Sequence, residues 1–246
     1  MIAPRDRRND RGNGLLLATV PGVNGAGEAW IIATNTRRAS GNRKTGDCIQ
    51  IWSIPTAGLY GTQSHVCGSC PLLPAREGGE GGCYVSKLHL THIARSAAAG
   101  HYEPWDGDTS LFRPQFVRFG AWGDPCLLPL ALVERIAGAC RGWTGYTHEW
   151  RRPANQEHRR FFMASIHTEA EAREAEALRW RWFAAPFAGD DPTTWTTHAA
   201  QCPHQSSQGR IQCRDCGLCD GTASATRPSI YNLPHGPKNV VSKFNR

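Results

Sequence analysis

The chain has 246 residues, of which 40% are hydrophobic and 20% are charged; this balance excludes an intrinsically disordered protein and indicates a globular one with a substantial core. The formal net charge is +7, and residues 1–44 carry eight Lys or Arg side chains against three acidic ones. Such a basic segment suits an anionic partner, either a nucleic acid or a nucleotide, although a solvated tail would have the same composition.

Residues 1–14 lack the apolar centre of a signal peptide, and no run approaches the roughly 18 apolar residues of a membrane span. The sequence therefore predicts a cytoplasmic protein with no membrane association. Because cytosolic thiols are kept reduced, the ten cysteines predict metal ligation, and a secreted disulfide-bonded protein is the alternative.

The first predicted elements are strands. Residues 15–20 and 29–33 are short apolar runs on either side of a glycine-rich turn, which predicts a hairpin. Residues 34–47 form a basic loop that lacks the G-x4-G-K-[ST] pattern of a P-loop. Residues 48–54, C-I-Q-I-W-S-I, predict the first core strand, and Pro55 ends it.

A glycine- and proline-rich loop, residues 65–85, follows this strand and carries Cys67, Cys70 and Cys83. Thiolates select zinc or iron–sulfur clusters, and C-x2-C spacing lets two of them hold one centre. This set has no obvious fourth member, which is the count expected of a cluster that keeps one iron open. Residues 85–99 have apolar side chains at helical spacing and predict a helix.

Strands and helices alternate in the middle of the chain. The remaining predicted elements are a strand at 115–121, a W-G-D-P turn, a helix at 127–140, a strand at 143–150, a basic loop at 151–160, a strand at 161–166, a helix at 169–178 with a Thr168–Glu171 capping box, and strands at 180–184 and 230–233. This alternation predicts an α/β fold in which parallel βα units form a partial or irregular (β/α) barrel.

The last part of the chain differs in character. We predict a flexible basic tail at residues 1–14, an α/β core at 15–189 and a cysteine-rich, metal-binding extension at 190–246, whose first part, 190–207, is loop-like. The extension contains a second set of four candidate ligands: Cys202, Cys213, Cys216 and Cys219. The C-x2-C-x2-C spacing is that of ferredoxin-type [4Fe–4S] loops, and zinc bound by four cysteines is the alternative.

The order of these motifs resembles that of the radical SAM family. Three cysteines follow the first core strand, an aromatic residue follows the last of them in Cys83-Tyr84, and G-D-P precedes an apolar helix after the next strand. The resemblance covers roughly residues 46–185 and extends to uncharacterised radical-SAM-like proteins carried by phages.

This resemblance implies a radical SAM-type enzyme that a reductant protein supplies with electrons. In such an enzyme a 5′-deoxyadenosyl radical derived from S-adenosylmethionine (SAM) abstracts hydrogen from the substrate. It also implies roles for individual residues: cluster ligands Cys67, Cys70 and Cys83, an adenine neighbour Tyr84, and contacts to the methionine end of SAM from Gly123, Asp124 and Pro125. The C-terminal set would then hold a second, auxiliary centre.

Trp and Arg residues interleave over residues 140–162, which suits base stacking and phosphate neutralisation in a nucleic acid or nucleotide substrate. A core strand followed by a solvated loop has the same pattern. The alternative function is a non-catalytic zinc-binding protein that binds nucleic acid through its basic segments.

Overall fold

The computed structural model describes residues 12–83, 85, 87–187, 189–196, 198–221, 227–235 and 241–244. The predicted tail at residues 1–14, except for its last three residues, and the predicted adenine neighbour Tyr84 lie outside the described residues. The strands are β1 Gly14–Pro21, β2 Glu28–Thr34, β3 Ile49–Pro55, β4 Glu103–Pro104, β5 Phe116–Trp122, β6 Gly142–Thr144, β7 Tyr146–Thr147, β8 Met163–Ile166, β9 Trp182–Ala184, β10 Ala199–Gln201 and β11 Ser229–Tyr231. The helices are α1 Ser64–Cys67, α2 Lys87–Ala98, α3 Leu130–Ala137, α4 Glu169–Ala177, α5 Pro203–Ser206 and α6 Cys213–Cys216. The predicted α/β class, with parallel strands and helices, is confirmed.

The first sheet has the strand order β4-β1-β2-β3-β5-β6. The predicted hairpin is present, because β1 pairs with β2 in antiparallel fashion, and β2 pairs with β3 in the same way. From β3 onward the pairs β3–β5 and β5–β6 are parallel. All seven residues of β3 are buried, which explains why its sequence is a nearly continuous apolar run.

The second sheet has the order β10-β11-β9-β8-β7, and all its pairs are parallel. Strands β10 and β11 come from the cysteine-rich segment, so that segment contributes directly to this sheet. The prediction of a loop throughout residues 190–207 is wrong at β10. This strand has few local signals and is fixed by its pairing with β11, where Ala199 lies opposite Ser229.

Gly145 is the point at which the chain passes from one sheet to the other. The prediction of one strand over residues 143–150 is wrong, because β6 lies in the first sheet and β7 in the second. A Cβ atom at Gly145 would lie 2.5 Å from the ring of Phe162, so packing requires glycine here. The Gly145 N–H donates to Cys219 O (3.2 Å), and its carbonyl accepts from Met163 N (3.0 Å).

The helices cover the sheets and close the core. The predicted capping box of α4 is confirmed: Thr168 Oγ1 accepts from Glu171 N (3.3 Å), and Glu171 Oε2 accepts from Thr168 N (3.2 Å). The largest fully buried side chains include Trp150, Trp182 and Phe119.

In the part of the chain that the structure describes, no helix has both the length and the apolar character needed to cross a membrane.

Candidate metal centres and the central cavity

The first candidate centre is the trio of Cys67, Cys70 and Cys83, which lies on the loop after β3. Helix α1 brings Cys67 into place, and a turn with a hydrogen bond from Cys70 N to Cys67 O (3.2 Å) follows it. The carboxylate of Glu77 accepts from Ser64 N (2.8 Å) and so ties the later part of the loop to the start of α1. The loop is therefore folded back on itself.

The trio packs against the turn that follows β5. The N–H of Asp124 donates to Val66 O (2.7 Å), and the N–H of Gly123 lies within hydrogen-bonding reach of the Cys67 sulfur. Gly123 has φ +79°, and a Cβ there would lie 2.6 Å from Ser53 Cβ, so glycine is required at this position. The two segments that the radical SAM resemblance pairs are thus in direct contact.

Asp124 is buried, and its carboxylate is occupied by hydrogen bonds within the protein. Oδ1 accepts from Cys126 N (2.9 Å) and from the Thr147 hydroxyl (2.7 Å), and Oδ2 accepts from His148 N (2.8 Å). Burial raises the pKa of Asp124 to about 6, although these three bonds lower it. Asp124 therefore fixes the turn to β7, and Pro125, also buried, begins the 3₁₀ turn that follows.

Glu149 holds the trio loop from the other side. Its Oε1 accepts from both the N–H and the hydroxyl of Ser69, each at 2.7 Å, and its Oε2 lies 3.2 Å from Arg152 Nη1. A Cβ at Gly68 would lie 2.3 Å from Glu149 Oε1, so the close approach depends on glycine. The sequence did not indicate this role of Glu149, although a carboxylate within the predicted strand W-T-G-Y-T-H-E-W was a usable signal.

The thiols of the trio lie close enough to influence one another electrostatically. Burial raises the pKa of Cys67 well above its usual value, and the neighbouring Cys70, Cys83 and Asp124 raise it further. Burial also raises the pKa of Cys70 to about 12. A metal cation lowers such thiol pKa values by binding the thiolate, so the chemistry of this donor set fits a metal.

The second candidate centre is the quartet of Cys202, Cys213, Cys216 and Cys219. All four line one small cavity of about 20 Å³. Space for one water molecule requires roughly 10–15 Å³, so this cavity has room for about one atom or ion. Burial raises the pKa of Cys213 to about 11 and that of Cys219 to about 12, and neighbouring thiols contribute in the same direction.

The quartet joins three parts of the fold. Cys213 N donates to Lys44 O (3.0 Å) in the basic loop at residues 34–47. Cys202 N donates to Tyr231 O (2.7 Å) at the end of β11, and Cys219 O accepts from Gly145 N. Gly217, with φ +63°, ends α6 and turns the chain toward Cys219. A metal bound here would connect the basic loop, the second sheet and the junction between the sheets.

No disulfide joins any of the ten cysteines, all of which belong to the described residues. Across the described ranges, no group of three or more His, Cys, Asp or Glu side chains is arranged closely enough to close around a metal ion. Of the cysteines outside the two sets, Cys48 donates to Thr45 Oγ1 (3.5 Å) and Cys140 to Ala137 O (3.6 Å), and Cys126 lies among Asp124, Thr147 and Glu149.

A cavity of about 760 Å³ is lined by strands of both sheets and by α2. Val85, His89 and His92, which follow the trio, line one part of it, and Cys213 of the quartet lines another. The cavity therefore includes one cysteine of the quartet and, through Val85, reaches within two residues in sequence of Cys83, while no cysteine of the trio lines it. Sequence reasoning missed most of its polar lining, because the direction in which a strand side chain points depends on the pairing of the strands.

His148 and His167 form a second feature that the sequence did not indicate. Their Nε2 atoms are 3.3 Å apart, and His167 Nδ1 lies 2.8 Å from Ala185 O. Burial lowers the pKa of both histidines, that of His148 to about 3. The pair therefore links the end of β7 to the end of β8 in uncharged form.

Comparison of the chain with protein-family models, with curated proteins and with solved structures found no match.

Proposed function

We propose that the protein is an iron–sulfur enzyme of radical-SAM-like architecture that modifies a nucleotide or nucleic acid. The observation that carries this proposal is the contact between the trio loop and the turn after β5: Asp124 N–H donates to Val66 O at 2.7 Å, and Gly123 N–H faces the Cys67 sulfur. Cys67 and Asp124, one from each segment, are 57 positions apart in the sequence. Their contact supports the resemblance independently of motif order.

In this proposal the thiolates of Cys67, Cys70 and Cys83 would hold a [4Fe–4S] cluster, and SAM would bind beside it. The cluster and SAM, when bound, would supply hydrogen-abstraction chemistry. Gly123 and Pro125 would contact the methionine end of SAM, Tyr84 would lie near the adenine, and the carboxylate of Asp124 positions the turn. A reductant protein completes the system.

The proposed architecture is a partial barrel. The cavity lined by both sheets supports this description, because a barrel-like arrangement gathers inward-facing side chains from successive strands around one interior. The cavity adjoins the residues that follow Cys83, so a substrate within it would lie close to the trio. We also propose a cytoplasmic location, which ten cysteines without a disulfide favour because that compartment is reducing.

The second function, a zinc-binding protein that binds nucleic acid without catalysis, is favoured by the quartet cavity. Its volume of about 20 Å³ suits a single ion better than a cube of eight atoms. The spacing of the trio, C-x2-C-x12-C, also differs from the C-x3-C-x2-C that is usual in radical SAM proteins. A single zinc ion in the quartet is compatible with both functions, so the trio decides between them.

The deciding experiment is anaerobic purification followed by metal analysis and absorption spectroscopy. We expect a brown protein with a broad absorption near 400 nm, an approximate position for thiolate–iron charge transfer. Cys70→Ala should remove the iron and retain the quartet metal, Cys216→Ala should do the reverse, and Cys140→Ala is the matched control. Colourless protein that contains only zinc would contradict the proposed enzyme and support the second function.

Catalysis needs its own measurement. Reduced, iron-loaded protein incubated with SAM should release 5′-deoxyadenosine, and the Cys70→Ala variant should not. Iron-loaded protein that never forms this product would leave the trio with a structural role.

A further inference from the structure

The lining of the central cavity carries a chemical signature of its own. The volume of about 760 Å³ lies within the range of roughly 300–1,000 Å³ typical of small-molecule sites. Lys44 and Arg118 are cationic members of the lining, and no Asp or Glu occurs among the described residues that form it. A cavity with this balance of charge attracts an anion.

Four polar side chains cross the floor of the cavity in one register. Thr34 pairs with Gln50, Gln50 with Arg118, and Arg118 with Thr144, so the row passes from β2 through β3 and β5 to β6. All four line the cavity. Residues opposite one another on paired strands share a face of the sheet. This face of the first sheet is therefore polar along the row, whereas a sheet face inside a protein is normally apolar.

Two buried polar atoms that face the cavity have no hydrogen-bond partner in the described part of the chain: Thr144 Oγ1 and Asn232 Oδ1. The two residues are only 2% and 6% exposed. The Tyr146 hydroxyl is near Thr144 but makes no hydrogen bond of acceptable geometry with it. Nor does the Arg118 guanidinium form a hydrogen bond or an ion pair within the described ranges. Buried polar groups are nearly always paired in folded proteins, so these atoms are available as hydrogen-bond partners for a molecule bound in the cavity.

The cavity also offers flat apolar surfaces. The rings of Tyr146 and Phe183 have centroids 4.4 Å apart, and both residues line the cavity. The indole of Trp52, fixed by a hydrogen bond from Nε1 to Thr34 Oγ1 (2.9 Å), is a third aromatic wall. Nucleic-acid bases stack on such rings, and stacking needs no particular base sequence.

We propose that this cavity binds a nucleoside monophosphate unit, with its phosphate at Arg118 and Lys44, its base against the aromatic side chains, and Thr144 and Asn232 as hydrogen-bond partners. The idea that the bound nucleotide is the substrate rests on the function proposed above. The binding of the nucleotide does not depend on that function. The unit is either a free nucleotide or one residue of a nucleic-acid strand, which present the same chemistry to the site.

Arg118 and Lys44 have a competing explanation. Both lower the pKa of Cys213, because their charges stabilise its thiolate. The competing explanation is therefore that Arg118 and Lys44 only balance the negative charge of the quartet thiolates when these bind a metal. The two explanations differ in what the loss of Arg118 does to nucleotide affinity and to metal content.

The test is isothermal titration of the full chain, with its metals as isolated, using nucleoside 5′-monophosphates, the matching nucleosides, inorganic phosphate and a single-stranded dinucleotide. We expect the monophosphates to bind, and Arg118→Gln to weaken them by about tenfold or more with unchanged metal content. Arg113→Gln, at an exposed position outside the cavity lining, is the matched control and should bind as the wild type does. Tighter binding of the dinucleotide would identify a strand as the source, and equal or weaker binding a free nucleotide.

Two results would overturn the inference: no monophosphate binds the metal-loaded protein, or Arg118→Gln releases the quartet metal while nucleotide affinity is retained. If Arg118→Gln does not fold, Asn232→Ala replaces it, and an unchanged affinity in that variant would likewise count against the site. Nucleotide binding without formation of 5′-deoxyadenosine would reject the enzyme function and keep the binding site. Formation of 5′-deoxyadenosine without nucleotide binding would reject only the inference.

Discussion

Ser69 donates two hydrogen bonds to Glu149 Oε1, one from its backbone N–H and one from its hydroxyl, although the two residues are 80 positions apart in the sequence. Because Glu149 is buried, we expect Glu149→Ala to lower the free energy of unfolding by about 2 kcal/mol, since the N–H of Ser69 then loses a charged acceptor. It should also reduce metal retention at the trio. Urea denaturation and metal analysis measure the two effects.

Glu174→Ala is the control for this variant. Glu174 pairs with Arg151 at 2.8 Å, but both side chains are largely solvent-accessible, so its loss should change stability by less than about 1 kcal/mol. Equal destabilisation by the two substitutions would contradict the role assigned to Glu149.

Gly145 should be the more sensitive of two glycines to substitution by alanine. At Gly145 a Cβ would lie 2.5 Å from the ring of Phe162, and we expect a loss of about 2 kcal/mol because the ring or the backbone must move. At Gly41 a Cβ would meet nothing within 4 Å. Gly41→Ala should therefore leave the urea midpoint nearly unchanged, and a similar loss at both positions would show that the packing argument is wrong.

His148 should make the protein less stable in acid. Burial lowers its pKa to about 3, with the charges of His167 and Arg151 acting in the same direction, whereas an unfolded chain has a histidine pKa of about 6.5. Between these values the unfolded chain binds more protons, so the contribution of His148 is complete above about pH 6.5 and decreases as the pH falls. Its slope approaches about 1.4 kcal/mol per pH unit.

The measurement for this prediction compares urea unfolding of the wild type and His148→Gln from pH 7 to pH 4.5. Asp124, which accepts the His148 N–H, has a raised pKa and acts in the opposite direction over part of this range. The difference between the two proteins reports on His148 together with its effect on the adjacent His167, because Asp124 is present in both. Parallel pH profiles would be inconsistent with a neutral, buried His148.

Removal of the metal proposed at the quartet should lower the melting temperature. The quartet ties the basic loop to both sheets, so chelation of the metal-loaded wild type should reduce the melting temperature by about 4 °C or more, taking about 1–2 kcal/mol for the lost connection. Cys216→Ser should begin at the lower temperature and respond little to the chelator. Cys140→Ser, which alters a cysteine outside both sets, should behave as the wild type does in both conditions.

The sequence predicted the elements whose signals are local. The hairpin formed by β1 and β2 follows from two apolar runs around glycines, and the capping box of Thr168 and Glu171 follows from spacing alone. The grouping of the thiols on two loops was also predictable, because each set lies within a short stretch of chain apart from Cys202. These features depend on neighbouring residues.

Other features depend on contacts that one sequence does not encode locally. At the break between β6 and β7, Phe162 packs where a Cβ of residue 145 would lie, and the sequence around residue 145 does not indicate this contact. Arg118 lies in a strand that was predicted, but its inward direction becomes visible only with the register to Gln50 and Thr144. The same holds for Asn232, which faces the cavity from the end of β11.

Thr144 and Tyr146 both line the central cavity, yet they belong to different sheets and only Gly145 separates them. In the described structure the chain therefore passes from the first sheet to the second through Gly145, and the N–H of this residue is held by Cys219 of the quartet. Because Cys213 of the quartet also lines the cavity, we expect loss of the metal proposed there to weaken nucleotide binding before the fold itself is lost.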